Sequence, residues 1–295
     1  MKFGAIDIGT NAIRLLISSV YEFGEQTIFK KVSLVRLPIR LGEDVFTHGI
    51  ISEKKINKLV KAMIAFKYIL EIHEVDDYLA CATSAMREAK NGNEVVKWIN
   101  DNSKINLQII SGELEAEFVA YNQLDEYIEP NRNYLYIDVG GGSTELTLFV
   151  NGQKISSHSF KIGTVRLLNN MVEENEWEDM KNWIKVNVNS YNNLIAIGSG
   201  GNINTLMRIA NAEDYKLTRK ELKAFYKQLK EMNYTERIKN FLLKEDRADV
   251  IVPALKIFNK VMKWSNSNKI IAPQIGLVDG IVKKLYYDKI KGLNN

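Results

Sequence analysis

The sequence predicts an α/β protein made of two similar domains, and three observations lead to that fold class. The chain has 295 residues, enough for two domains with separate cores, and its 45% hydrophobic content suits a folded globular chain. One motif occurs twice, at 3–17 and at 134–149: an apolar strand ending in Asp-x-Gly, a short polar turn, and a second apolar strand. After each copy comes a third strand and then an alternation of helical and strand periodicities, which together predict a mixed sheet flanked by helices.

In the first half the hairpin reads Gly4-Ala5-Ile6-Asp7-Ile8-Gly9-Thr10-Asn11, and a third strand covers 27–36. Periodicity then predicts a helix over 52–71, a buried strand over 78–82, a helix over 94–100, a strand over 107–110 and a helix starting near Gly112. Turn formers in Glu129-Pro130-Asn131-Arg132-Asn133 mark the domain boundary, giving domains of 1–130 and 131–273. The second hairpin reads Leu135-Tyr136-Ile137-Asp138-Val139-Gly140-Gly141-Gly142-Ser143-Thr144. It is followed by a strand over 154–161, a helix over 177–191, a strand over 194–197 and a helix after Gly200-Gly201. The halves then diverge. Residues 216–264 read as helical throughout, with 247–264 the longest run, and a last helix covers about 274–287.

Composition removes several function classes. A net charge of +4 is a small excess over many charges of both signs, and no Lys or Arg run exceeds two, so no nucleic-acid-binding tail is expected. The single cysteine, Cys81, excludes an intrachain disulfide and a cysteine-based metal cluster, and its apolar neighbours suggest a buried thiol. Asp7 interrupts the N-terminal apolar run before a signal-peptide core or membrane span is complete, so the expectation is a cytoplasmic protein with no membrane span.

The densest chemical signal is Gly140-Gly141-Gly142-Ser143-Thr144. Glycine tolerates close approach and positive φ, so such a turn can bring backbone N–H groups onto phosphate oxygens. Asp138 before it and Glu145 after it can hold Mg²⁺ directly or through water, although an ordinary hairpin with solvated acids has the same residues. The first turn, Asp7-Ile8-Gly9-Thr10-Asn11-Ala12-Ile13-Arg14, fits a plain hairpin equally well taken alone and gains weight from its twin. Paired loops from duplicated halves would face each other across a cleft between the domains. Gly198-Ser199-Gly200-Gly201-Asn202 leaves a strand and opens a helix, a position that favours an anion and also suits a simple turn. In Ala82-Thr83-Ser84-Ala85-Met86-Arg87 the hydroxyls and Arg87 can grip phosphate, while an isolated arginine is more often a surface residue. Ser111-Gly112-Glu113-Leu114-Glu115-Ala116-Glu117 places acids in the first turns of a helix, where the macrodipole alone accounts for them and Glu115 fits a capping role as well.

Together these segments resemble the exopolyphosphatase and guanosine pentaphosphate phosphohydrolase (Ppx/GppA) family, with its duplicated actin-like domains of the ribonuclease H-like, sugar-kinase superfamily. The motifs are Asp7 to Asn11 with Arg14, Cys81 to Ala89, Ile110 to Ala116 and Ile137 to Leu146. Gly163-Thr164-Val165-Arg166-Leu167, Gly198 to Gly201 and Arg247-Ala248-Asp249 follow in the family's order. The resemblance implies that Glu115 is the catalytic glutamate, orienting or deprotonating a water for attack on a terminal phosphoryl group. It implies that Arg87 binds substrate phosphate, with Thr10, Asn11, Arg14, Ser84, Gly141, Gly142, Ser143, Thr144, Gly200 and Gly201 as further phosphate contacts. Asp138, Glu145 and Asp7 become the acids associated with Mg²⁺.

The implied substrates are inorganic polyphosphate or guanosine pentaphosphate, a homodimer is the family-based expectation, and the last helix, about 274–295, is expected to rejoin the first domain. Three departures stand out: Thr10-Asn11-Ala12 replaces the usual Ser-Asn-Ser, Asn202 replaces threonine, and 275–280 keeps only part of a Gly-Leu-Arg-Glu-Gly pattern. The chain resembles short members without the C-terminal helical domain that helps bind long polyphosphate, which implies short chains or guanosine pentaphosphate as substrate. The competing expectations are an ATP-dependent kinase of the same superfamily, with adenosine near Gly198 to Asn202, and a non-catalytic nucleotide or alarmone sensor.

Overall fold

The two hairpins read from the sequence seed two separate sheets in the computed structural model, which describes residues 1–122, 129 and 132–293. The expected boundary at Pro130-Asn131 lies outside the described residues, as do Asn294 and Asn295 at the expected end of the chain. The main chain divides into one unit of Met1–Asn122 with Gly276–Asn295 and another of Gln123–Ile275.

The first unit opens with β1 (Lys2–Ile8), β2 (Ile13–Phe23) and β3 (Gln26–Leu37), which form an antiparallel meander. Then follow α1 (Leu41–His48), α2 (Glu53–Ile72), β4 (Asp77–Ala82), α3 (Ser84–Glu88), α4 (Gly92–Ser103), β5 (Leu107–Ile109) and α5 (Gly112–Ala120). The sheet order is β3-β2-β1-β4-β5, with β1, β4 and β5 parallel. Phe3, Ala5, Ile6 and Ile8 of β1 are all buried, as a central strand covered on both faces requires. Three strands therefore end together: the N–H of Thr83 donates to the Ile8 carbonyl and that of Ile110 to the Ala82 carbonyl. Ligand-binding loops of open α/β sheets sit at the carboxyl ends of such strands.

The second unit repeats the plan with β6 (Asn133–Val139), β7 (Thr144–Val150), β8 (Gln153–Phe160), α6 (Thr164–Leu168), α7 (Glu174–Asn187), β9 (Ile195–Ser199) and α8 (Gly201–Ile209). It continues through β10 (Lys216–Thr218), α9 (Arg219–Glu231), α10 (Tyr234–Phe241), α11 (Glu245–Ala248), α12 (Ile251–Trp264) and β11 (Lys269–Ile271). The last helix, α13 (Leu277–Leu293), packs on β1 and α5 of the first unit. The second sheet runs β10-β11-β9-β6-β7-β8, so β8-β7-β6-β9-β11 reproduces the first sheet strand for strand, with β10 added antiparallel at the edge. That correspondence is the duplication expected from the sequence. The core of this unit gathers Leu135, Ile137 and Leu146 from the sheet with Ile251, Leu255, Phe258 and Met262 from α12. Their helical spacing of three and four turns one stripe of α12 inward, and each such side chain contributes roughly 1.5–3 kcal/mol by leaving water.

Two segments differ from expectation. Residues 216–218 are a strand, paired with β11, and Thr218 then caps α9. The long helix expected over 247–264 is broken between α11 and α12. Pro253 has no N–H to donate to the Asp249 carbonyl four residues back, so the helix restarts with proline in its first turn.

Candidate active site

In the second unit the four-residue turn between β6 and β7 is closed by a bond from the Gly140 N–H to the Ser143 carbonyl (2.9 Å). The start of α6 braces it from below. Thr164 N–H donates to Gly140 O (3.0 Å), Val165 and Arg166 N–H both donate to Gly141 O (2.9 and 3.3 Å), and Arg166 Nε donates to Gly142 O (2.7 Å). Gly163 makes the brace possible: a Cβ there would lie 2.3 Å from Gly141 O and 2.4 Å from the Gly142 carbonyl carbon. With three successive carbonyls tied down, the N–H groups of Gly141, Gly142 and Ser143 have no protein acceptor among the described residues. A run of unengaged amides at a tight turn is an anion-binding concavity.

Asp138 and Glu145 are register partners across this hairpin, so their side chains share a face of the sheet. Glu145 is buried and accepts from the Ser159 hydroxyl at 2.8 Å. Gly200 (φ 99°) sits where a Cβ would be 2.9 Å from Val139 O and 3.4 Å from Asp138 Oδ1, which brings the N-terminus of α8 beside Asp138. Over Gly201 lies the buried guanidinium of Arg247, close enough that a Cβ at 201 would be 2.1 Å from Nη2, and its Nη1 donates to Asn202 Oδ1 (3.3 Å). Thr144, expected among the phosphate ligands, takes a different role. It is fully buried and its hydroxyl donates to Ile162 O (2.5 Å), so its side chain braces the loop.

In the first unit the turn from Gly9 to Ala12 is closed in the same way, by Gly9 N–H to Ala12 O (3.2 Å). Its carbonyls are again held from below, Thr10 O by Gly42 N–H and Asn11 O by Arg40 N–H, each at 2.9 Å. Asp7 and Arg14 occupy the register position that Asp138 and Glu145 occupy in the second unit, and Arg14 Nη1 donates to Asp7 Oδ2 (3.2 Å). Burial pushes the Asp7 carboxyl above its usual value, against the opposing pull of Arg14.

Glu115 and Arg87 meet in this same unit. Arg87 Nη1 donates to the Ile110 carbonyl (2.6 Å) just before α5 and lies 3.9 Å from Glu115 Oε2. The cap of α5 is the Ser111 hydroxyl, which accepts from Leu114 N–H (3.2 Å). Glu115 therefore lies beyond the capping position, and its side chain, 14% exposed, faces Arg87. Ser84 is buried and its hydroxyl donates to Glu88 (2.9 Å). Cys81 is fully buried in β4. Burial pushes its thiol up to about 12, with the charges of Asp7 and Glu115 adding to the shift, so it stays protonated and unreactive at neutral pH.

Gly163, Arg166 and Arg247 are the functional candidates that residue-by-residue reading passes over. All three lay inside motifs noted in the sequence, but the signal that singles them out is tertiary: each touches a glycine-rich turn from a distant segment.

For a divalent cation, the described residues contain no cluster of three or more His, Cys, Asp or Glu side chains. Mg²⁺ needs no such cage. It is commonly held by one or two carboxylates together with substrate phosphates, and Asp138 with Glu145 beside an amide-lined turn matches that donor set.

Comparison with known proteins follows the same lines. The family model described as the Ppx/GppA phosphatase family matches residues 19–287. A bifunctional 3-dehydroquinate synthase/phosphatase of Fusobacterium nucleatum is 30% identical, over 92% of this chain and 44% of that protein. Exopolyphosphatase 1 of Mycobacterium bovis is 28% identical, over 57% of this chain and 48% of that protein. The chain spans about half the length of these curated relatives. Among solved structures, an exopolyphosphatase from Cytophaga hutchinsonii aligns with a TM-score of 0.81 at 25% identity, covering 99% of this chain and 98% of that one.

Proposed function

The chain belongs to the Ppx/GppA phosphatase family, and from that premise we propose that it releases terminal orthophosphate from inorganic polyphosphate or guanosine pentaphosphate. The observation that supports this most is the turn at Gly140 to Ser143, whose carbonyls are tied down while the N–H groups of Gly141, Gly142 and Ser143 have no acceptor among the described residues. Such amides bind phosphate oxygens without side-chain rearrangement. A divalent cation held by Asp138 and Glu145, with phosphate and water completing its shell, would offset the charge of adjacent phosphates.

The remaining steps use the chain's own groups. Arg87, anchored on the Ile110 carbonyl, grips a phosphate of the substrate with the rest of its guanidinium. Glu115, close to Arg87, orients a water and takes its proton as that water attacks the terminal phosphorus. The P–O bond to the rest of the chain breaks, leaving orthophosphate and a substrate one phosphate shorter. Positioning and charge stabilisation suffice for this transfer, and no phosphoenzyme is required.

The test is orthophosphate release by the purified chain from polyphosphates of several lengths, guanosine pentaphosphate and ATP, with and without Mg²⁺. Glu115→Gln keeps the shape and removes the base, so the rate is expected to fall by about 10²–10⁴-fold with little change in KM. Activity untouched by the substitution would overturn the role of Glu115, and phosphate transfer from ATP to an acceptor would replace hydrolysis with kinase chemistry.

A further inference from the structure

We propose that the exposed lysine face of α9 is a docking surface for the trailing, unreacted part of an inorganic polyphosphate chain, an inference that rests on the phosphatase reading above. Lys220, Lys223, Lys227 and Lys230 are all exposed and recur at a spacing of three and four. At 100° per residue they fall within a stripe roughly 80° wide and about 15 Å long. Leu222 and Leu229 turn to the core on the other side.

None of the four lysines is ion-paired among the described residues. Of the two acids on this helix, Glu221 is committed to the helix cap, where its carboxylate accepts from the Thr218 N–H and hydroxyl, each at 2.7 Å. Glu231 lies at the C-terminal edge of the stripe with no ion pair to Lys227 or Lys230 among the described residues. Four like charges at this spacing repel one another and cost the isolated helix stability. A polyanion laid along the stripe reverses that cost and releases its own condensed counterions.

The surrounding residues narrow the polyanion. Phe225 and Tyr226, the aromatic side chains of this helix, pack against the core, so the stripe has no platform on which bases could stack. Its exposed neighbours are Ala224, Gln228 and Glu231, with no large apolar group to enter a lipid surface. A bare chain of phosphates needs only charge in a line. Tethering its distal part would raise affinity for long chains by effective concentration, without any new contact at the reacting end.

The experiment neutralises all four positions together (K220Q, K223Q, K227Q, K230Q), with glutamine chosen to preserve helix propensity and thermal melting used to verify folding. The control neutralises the exposed trio Lys54, Lys58 and Lys61 of α2. For long polyphosphate, KM is expected to rise about tenfold at low salt and the salt slope of log affinity to fall by about 3, with kcat unchanged. Triphosphate kinetics and the α2 control are expected to stay at wild-type values. An equal loss for triphosphate, an equal loss in the α2 control, or no change for long chains overturns the proposal. So does an oligonucleotide of matched charge that binds as tightly as polyphosphate and loses affinity in parallel. Direct binding of labelled polyphosphate to Glu115→Gln protein, with and without the four substitutions, separates the two readings. If lysine-dependent binding persists while the wild type releases no phosphate, the docking surface stands and the proposed reaction falls.

Discussion

The turn from Gly9 to Ala12 and the turn from Gly140 to Ser143 are closed by equivalent bonds and each is braced from the start of a helix, yet Arg14 sits opposite Asp7 where Glu145 sits opposite Asp138. One backbone therefore carries two electrostatic designs. The first hairpin neutralises its buried aspartate internally through the Arg14 ion pair. The second places two carboxylates on one face and adds glycines at 141 and 142 where the first has Thr10 and Asn11. Duplication supplied the four-residue turn twice, and the residue opposite the aspartate is a cation in one copy and an acid in the other. We propose on this basis that the second hairpin is the metal-holding one, and that Asp7, grouped with the metal acids by resemblance, serves chiefly to fix Arg14 beside the first turn.

The sharpest way to break this comparison is to neutralise each acid in turn. Asp138→Asn and Glu145→Gln are each expected to cut orthophosphate release about 100-fold and to raise the Mg²⁺ concentration needed for half activation. Asp7→Asn is expected to leave that concentration within about twofold of wild type. A Mg²⁺ titration of initial rates distinguishes them, and equal shifts for all three would mean that both hairpins share the metal.

A smaller effect tests the brace. Gly163→Ala drives a methyl group into the Gly141 and Gly142 backbone, where no flexible side chain can yield. The expected cost is about 1–3 kcal/mol, read as a lower Tm or urea midpoint, together with weaker substrate binding as the loop shifts. Unchanged stability and KM would show that the loop holds its shape without α6.

Much of this was legible in the sequence because the hairpins are local and periodic. An Asp-x-Gly end, a four-residue turn and a returning apolar strand fix the register, so the pairing of Asp7 with Arg14 follows from counting. Most elements that escaped are too short for a period to accumulate, α3 and α6 having five residues each and β10 and β11 three each, and α1, also unforeseen, spans only about two turns. The break before α12 was readable from Pro253, yet helical composition on both sides masks it. Site residues divided on similar lines. Glycine and carboxylate at a turn announce themselves, whereas the inward hydroxyl of Thr144 and the Arg247 guanidinium over Gly201 depend on contacts with residues 18 and 46 positions away.

The smallest expected effect concerns proton binding at the first hairpin. Asp7 is buried, and its carboxyl lies above the usual 3.8 because burial outweighs the attraction of Arg14. A raised carboxyl holds its proton in the folded state after the unfolded chain has released it. Its contribution to stability is thus fully present below the unfolded value and is lost as pH rises through the folded one. Asp7→Asn removes this titration. The variant's Tm minus that of the wild type should therefore rise as pH is raised from about 4 through the Asp7 titration, and then level off. The Arg14 ion pair forms only with the ionised carboxylate and is therefore already part of that slope, whereas a change in packing that does not depend on protonation shifts the whole curve and leaves the slope unaltered. A difference that falls with pH would mean that Arg14 overcompensates burial, and the first hairpin would then be a stabilising ion pair rather than a carboxylate held at a cost for the sake of the turn.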